Sequence, residues 1–376
     1  MTQCAHITVV INAALLRKLL SHLNDLGINH LYSLFGRSLQ LNEGRGFLRS
    51  LFLSSDLLSE SVDVLTFYLP KELEEIVMKS IVKNMNLDLP GRGSVLSRDV
   101  TLHNGLVDEL LCSVNQSVLP TKEDLAQVSL FDNLTQILCT TSKGLADELS
   151  KVLLHLGVVP TVTNATGTGL RDQLGLLRIT IPREKEMLSI VVGPNEAASI
   201  MDKMITWAKL DRPGRGFIWQ VPVNKGLVNF KISQRRYGQA ASTEQIIAAI
   251  DSIKGDFNWR QGGTILSGQT QRNYYSGTQL IIQVREGASR QIVRSIMKIG
   301  ISGATVQPLR SLSPEKLNDH LVVPQEVIRV VVDKERTDEV IHMVIKEFQQ
   351  QEQTDLKATH IFSLPVIRAF NYLTPQ

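Results

Sequence analysis

Between Ala13 and Leu26 the apolar residues Leu15, Leu16, Leu19, Leu20, Leu23 and Leu26 recur at helical spacing, directly after the strand-like run Ala5 to Ile11. Gly27 stops that helix, and Ile28 to Phe35 reads as a second strand. The polar, Gly-containing stretch Gly36 to Ser61 has little periodicity and predicts a long loop. Val62 to Leu69 is a third strand. Pro70 suits the first turn of a helix, and Lys71 to Met85 is amphipathic. A fourth strand follows Pro90-Gly-Arg-Gly93, so the predicted order is βαββαβ.

The same order recurs twice. Thr135 to Thr140, a helix from Lys143 to Leu156 closed by Gly157, Val158 to Thr163, Met187 to Val192, a helix from Asn195 to Leu210, and Gly216 to Val223 make the second unit. The third runs from Gln279 through a helix at Ser289 to Ile299, a strand at Val327 to Val332, a helix at Arg336 to Gln349 and a strand at His360 to Leu364. Gly157 to Gly214 and Gly300 to Lys357 are both separations of 57 positions, so units two and three align without a net gap. The predicted fold is α+β: three tandem ferredoxin-like βαββαβ units in a single-chain pseudo-trimer. The predicted domains are 1–120, 121–235 and 277–376, with 236–276 an elaborated linker. One such unit puts two helices on one face of its sheet and leaves the other bare. Three can bury their bare faces around a common axis.

Composition narrows the function classes. The 40 basic residues are interleaved with 37 acidic ones for a net charge of +3, so there is no basic stripe for nucleic acid and no polybasic membrane patch. No apolar run reaches the roughly 18 residues of a membrane span, and no secretory leader pattern opens the chain, which predicts a cytoplasmic protein without membrane insertion. Cys4, Cys112 and Cys139 have no metal-ligand spacing and read as buried thiols. The eight histidines form no metal-ligand pattern, and no Ser/His/Asp or Cys/His set is visible. No metal site and no catalytic site is predicted.

The most specific signal is a repeated turn, Arg212-Pro-Gly-Arg-Gly216 and Leu89-Pro-Gly-Arg-Gly93, with a degenerate third copy at Lys357-Ala-Thr-His360. Gly-Arg-Gly reads either as a plain turn with a solvated Arg or as a backbone nest beside a guanidinium, able to hold phosphate or carboxylate. Asn164-Ala-Thr-Gly-Thr-Gly169 lacks the Lys of a P-loop and predicts a flexible loop.

The repeated unit resembles the PII signalling family of nitrogen regulatory proteins. Leu34-Phe-Gly-Arg-Ser-Leu-Gln40 is similar to the family's T-loop base, and Pro-Gly-Arg-Gly at 90–93 and 213–216 is similar to its nucleotide-binding B-loop. Val327 to Val332 and Ile361 to Arg368 resemble its corresponding strands. The chain departs from the family at Ser38 and Leu39, where the family has Gln and Lys. It departs again at Ser94, Phe217 and His360, where the family has the phosphate-contacting Lys. The resemblance implies a non-enzymatic signal-transduction regulator, monomeric as a pseudo-trimer. It implies a small anionic effector, an adenine nucleotide such as ATP, ADP or AMP, bound at Gly36, Arg37, Gly91, Arg92, Gly93, Gly214, Arg215 and Gly216. The unit-one loop would then control a protein partner, whether enzyme, transporter or regulator. Two other readings remain: an interaction scaffold that has lost the ligand, and an enzyme with chemistry in a cleft.

Overall fold

The protein is described here from a computed structural model, covering residues 2–41, 57–89, 91–104, 114–115, 117–121, 123–169, 184–228, 272–301, 303–312, 323–350 and 360–372. The first third holds β1 (Thr2–Asn12), α1 (Leu16–Asp25), β2 (Leu31–Leu41), β3 (Leu57–Leu69), α2 (Glu74–Met85) and β4 (Gly93–Asn104). The second holds β5 (Phe131–Ser142), α3 (Leu145–His155), β6 (Thr161–Gly169), β7 (Glu184–Val192), α4 (Pro194–Ala208) and β8 (Gly216–Leu227). The last holds β9 (Tyr275–Arg285), α5 (Ser289–Lys298), β10 (Gly303–Leu312), β11 (Val323–Val332), α6 (Thr337–Gln350) and β12 (His360–Asn371). Local chemistry sets the helix ends. Glu74 and Glu75 face the positive end of α2, and Asn86 closes it in the left-handed region at φ 50°. Pro194 occupies the first turn of α4, and Lys209 at φ 52° ends it.

The strands correct the predicted fold class. Three ferredoxin-like units in a pseudo-trimer would each keep a separate four-stranded sheet. Here all twelve strands belong to one antiparallel sheet in the order β1-β3-β2-β10-β11-β9-β12-β4-β8-β5-β7-β6, with further pairings β1–β4, β2–β6, β10–β6 and β12–β8. The result is a closed ten-stranded barrel with two additional strands, and among the described residues strand (49%) outweighs helix (31%). The expectations of a ferredoxin-like tandem repeat, a pseudo-trimer and a PII-like architecture are corrected with it. The physical reason lies at the strand ends. Strands of nine to thirteen residues extend past the apolar runs that mark them in sequence. Their polar or glycine positions pair across the expected boundaries, as in Gly36↔Thr163, Thr305↔Gly167 and Ser97↔Lys225. Closure leaves fewer unpaired edges than three separate sheets would.

Two local readings also change. Asn164 to Gly169 is not a loop but the second half of β6, paired with both β7 and β10. The stretch from Gly36 belongs to β2 as far as Leu41, and β3 begins at Leu57. The long-loop reading at 42–56, the third turn copy at 357–359 and most of the 236–276 linker lie outside the described residues.

Among the described residues four larger apolar cores result, beside a small cluster of Leu96, Leu134 and Val223. Three lie between a helix pair and the outer barrel face: Leu19, Leu23, Val77 and Ile81 under α1 and α2; Leu149, Leu153, Met201 and Ile205 under α3 and α4; Ile292, Ile296, Val340 and Val344 under α5 and α6. The fourth fills part of the barrel interior, where Tyr68, Trp219, Phe362 and Leu364 meet. Tyr68 stacks on Phe362 at 4.1 Å between ring centroids, with His6 on its other face at 4.8 Å. Among the described residues no helix is long and apolar enough to cross a membrane.

Candidate functional site

The two Gly-Arg-Gly turns are built alike. Each follows a helix ended by a left-handed residue, Asn86 or Lys209, and each has its first glycine at positive φ, 78° at Gly91 and 70° at Gly214. The second glycine begins a strand that crowds its neighbour. A Cβ on Gly93 would stand 2.2 Å from the Val10 carbonyl oxygen, and one on Gly216 would stand 2.0 Å from that of Thr140. These glycines are therefore required by backbone approach, independently of any ligand.

The turns differ in what they face. Gly91, Arg92 and Gly93 line an interior cavity of about 80 Å³, together with Thr8, Ser38, Arg98, Gln136, Thr163, Ser189 and Arg329 from β1, β2, β4, β5, β6, β7 and β11. The Gly214 turn instead holds a lysine. Lys185 Nζ donates to the Gly214 carbonyl at 2.9 Å and to Ser142 Oγ at 3.2 Å. Burial, and secondarily the charge of Arg215, lower the pKa of that amine.

Inside the cavity two guanidiniums stand without counter-charge. Arg98, 6% exposed, donates from Nη1 to Gln136 Oε1 at 2.6 Å and from Nη2 to Thr8 Oγ1 at 2.7 Å, while its Nε has no partner. Gln136 passes the network on to Ser189 Oγ at 2.7 Å. Arg329 donates from Nη1 to Gln307 Oε1, and Gln307 Nε2 donates to Thr163 Oγ1 at 2.6 Å. Burial, with the nearby Arg329 charge second, pushes the Arg98 pKa down to about 10, and burial pushes Arg329 to about 10 as well. Among the described residues neither forms an ion pair, and the sole carboxylate along the cavity wall is the half-buried Glu60. Arg310 shows what a compensated arginine looks like in the same barrel. It meets the buried Asp63 carboxylate at 2.5 Å and Ser33 Oγ at 2.8 Å, with its guanidinium 3.4 Å over the Phe35 ring.

The predicted site residues are thus distributed over three places. Gly91, Arg92 and Gly93 lie on the cavity. Gly214, Arg215 and Gly216 form the turn occupied by Lys185. Gly36 sits where β2 meets β6, its Cβ position 3.1 Å from the Val162 carbonyl oxygen. Arg37 is held between two acids, with Nη1 2.6 Å from Asp147 Oδ1 and Nη2 2.6 Å from Glu186 Oε1. The second oxygen of Glu186 accepts the Gly144 N–H at 2.8 Å, so Arg37 pins β2 to the start of α3.

Sequence reasoning missed Arg98, Arg329, Gln136 and Gln307. The available signal was a lone Arg inside an apolar strand, as in Val327-Ile-Arg-Val-Val-Val332, because a charge in such a run faces either solvent or a polar interior. Other titratable groups in the interior support packing. The Cys4 thiol is pushed up to about 12, chiefly by burial, and Cys139 is likewise raised by burial, so both are inert. Among the described residues no group of acids, histidines and cysteines is placed to hold a metal ion. A second groove, of about 540 Å³, runs on the outside between α4 and β12, where Arg368 lies 3.5 Å over the Tyr274 ring.

What the interior arrangement can do chemically is bind negative charge. Guanidinium, amide and hydroxyl donors converge on one cavity, with no nucleophile and base in contact beside them. No family model matches the chain, and no curated protein matches it. Among solved structures, one protein of Lactobacillus acidophilus NCFM, described provisionally as a monooxygenase, aligns over 62% of this chain and 99% of its own at 8% identity. Its TM-score is 0.18, a likeness that carries neither a fold nor an activity.

Proposed function

We propose that this protein is a non-enzymatic, cytoplasmic regulator that takes a small anionic effector into the cavity beneath the Gly91-Arg92-Gly93 turn and acts on a protein partner. The observation that carries the proposal is the pair of buried Arg98 and half-buried Arg329, neither in an ion pair among the described residues. A cation withdrawn from water costs several kcal/mol unless its charge is met, and an effector anion supplies the counter-charge. An adenine nucleotide fits this reading if its phosphate enters and the rest of the molecule lies at the mouth, because about 80 Å³ is far below the 300 Å³ or more of pockets that enclose whole ligands. Ser38 of β2 and Glu60 of β3 both line the cavity, so the chain joining these strands is the natural route from effector to partner. The test is calorimetric titration with ATP, ADP and AMP, with and without Mg²⁺ and 2-oxoglutarate. The proposal expects saturable binding at one site per chain, weakened by Arg92→Ala. No heat with any of them would contradict it. A ligand-free scaffold is the second reading, favoured by one observation: Arg37 and the Gly214 turn are already engaged by protein groups.

A further inference from the structure

Resting on the effector reading of the same cavity, the geometry points to its chemical class: we infer that Arg98 and Arg329 form a site for one phosphate-sized oxyanion. Three features define that class. The donors are right, since Arg98 keeps an unpartnered Nε and Arg329 uses only Nη1 among its described hydrogen bonds. Guanidinium edges match phosphate or carboxylate oxygens in pairs, which a halide cannot satisfy. The size admits it: about 10–15 Å³ open to a water-sized probe holds one water, so 80 Å³ has room for a tetrahedral oxyanion. The charge is right, because Arg98, Arg329 and Arg92 face one half-buried carboxylate, Glu60, across the described lining. The hydroxyls of Ser38 and Ser189 on the same wall can donate to the remaining oxygens.

Two sources supply such a group: free orthophosphate, or the terminal phosphate of a larger molecule whose body stays outside at Arg92. The experiment is thermal unfolding of the full chain in orthophosphate against chloride at matched ionic strength, with AMP and ATP as further arms. Arg98→Met and Arg329→Gln are run beside the wild type. At a hundredfold excess over Kd, linkage predicts a rise in wild-type Tm of about 3 °C. Each variant should lose that rise, and either one that folds suffices. Protection by orthophosphate alone identifies the free ion. Protection by AMP or ATP without it, equally lost in the variants, identifies the tethered group. A rise that survives in both variants, or no rise above chloride in any arm, overturns the oxyanion site. Nucleotide binding that depends on Arg92 but not on Arg98 or Arg329 also overturns it while leaving the effector proposal standing. Protection by orthophosphate with no nucleotide bound would sink the nucleotide reading of the effector and keep the site.

Discussion

The turns at 91–93 and 214–216 carry the same three residues in the same conformation, yet only the first opens on the cationic cavity. Both second glycines are forced by a carbonyl about 2 Å from where a Cβ would stand. What separates the turns arrives from elsewhere in the barrel. At the second, Lys185 from β7 fills the space and donates to the turn's own carbonyl. At the first, the neighbouring strands bring Arg98 and Arg329 and no acid to pair with them. A short motif therefore specifies a backbone turn, and the strands packed around it decide whether that turn also faces a ligand.

The largest expected effect tests the part the turns share. Gly93→Ala and Gly216→Ala should each cost about 3 kcal/mol or more in urea unfolding, because the added Cβ meets backbone at a positive φ. Gly91→Ala has open space and should cost only about 1 kcal/mol. Unequal losses at Gly93 and Gly216 would break the structural equivalence.

Acid should cost nearly as much. Burial, with the charge of His30 second, lowers the His360 pKa from 6.5 to about 4. Burial first, then Arg98 and Arg329, holds His6 well below 6.5. Both imidazoles are thus neutral in the fold, whereas the unfolded chain protonates them near pH 6.5. Stability is complete above that pH and declines as pH falls toward 4, with His360 alone accounting for about 3 kcal/mol. Denaturant melts at pH 7.5 and 4.5 measure it. An oxyanion beside Arg98 offsets one of the charges that depress His6, so the His6 part of the decline should shrink in orthophosphate.

Lys185→Met comes next. Losing the donor to Gly214 and Ser142 should cost about 1–2 kcal/mol and leave anion binding at the first cavity unchanged. Arg92→Ala should shift stability by no more than about 0.5 kcal/mol but weaken effector binding roughly tenfold, since one charge-assisted contact is worth about 1.5 kcal/mol. Arg215→Ala should change binding little, and comparing the two arginine variants separates the turns directly.

The helices and the middle of most strands were legible because apolar spacing reports local structure. Leu19 and Leu23 lie where their periodicity placed them, against the sheet. Closure of the barrel was not legible. It depends on pairings such as Gly36↔Thr163 and Gly303↔Gly169, between polar or glycine positions that carry no periodic signal. The same limit made Asn164 to Gly169 look like a loop, since Gly, Asn and Thr suit both a turn and a strand flanked on two sides. Strand β10 went unread, its run from Gly303 to Leu312 interrupted by Gln307, Pro308 and Arg310. In the candidate site, Gly91, Arg92 and Gly93 stood out through repetition. Arg98 and Arg329 did not, because the direction of a strand side chain into a closed interior depends on closure itself.

The most direct measurement is calorimetric titration of the full chain with ATP, ADP and AMP, repeated on Arg98→Met, Arg92→Ala and Arg215→Ala. The account predicts one saturable site per chain, weakened at Arg98 and Arg92 and untouched at Arg215. Binding lost in Arg215→Ala and intact in the other two would place the ligand at the turn held by Lys185 and contradict it.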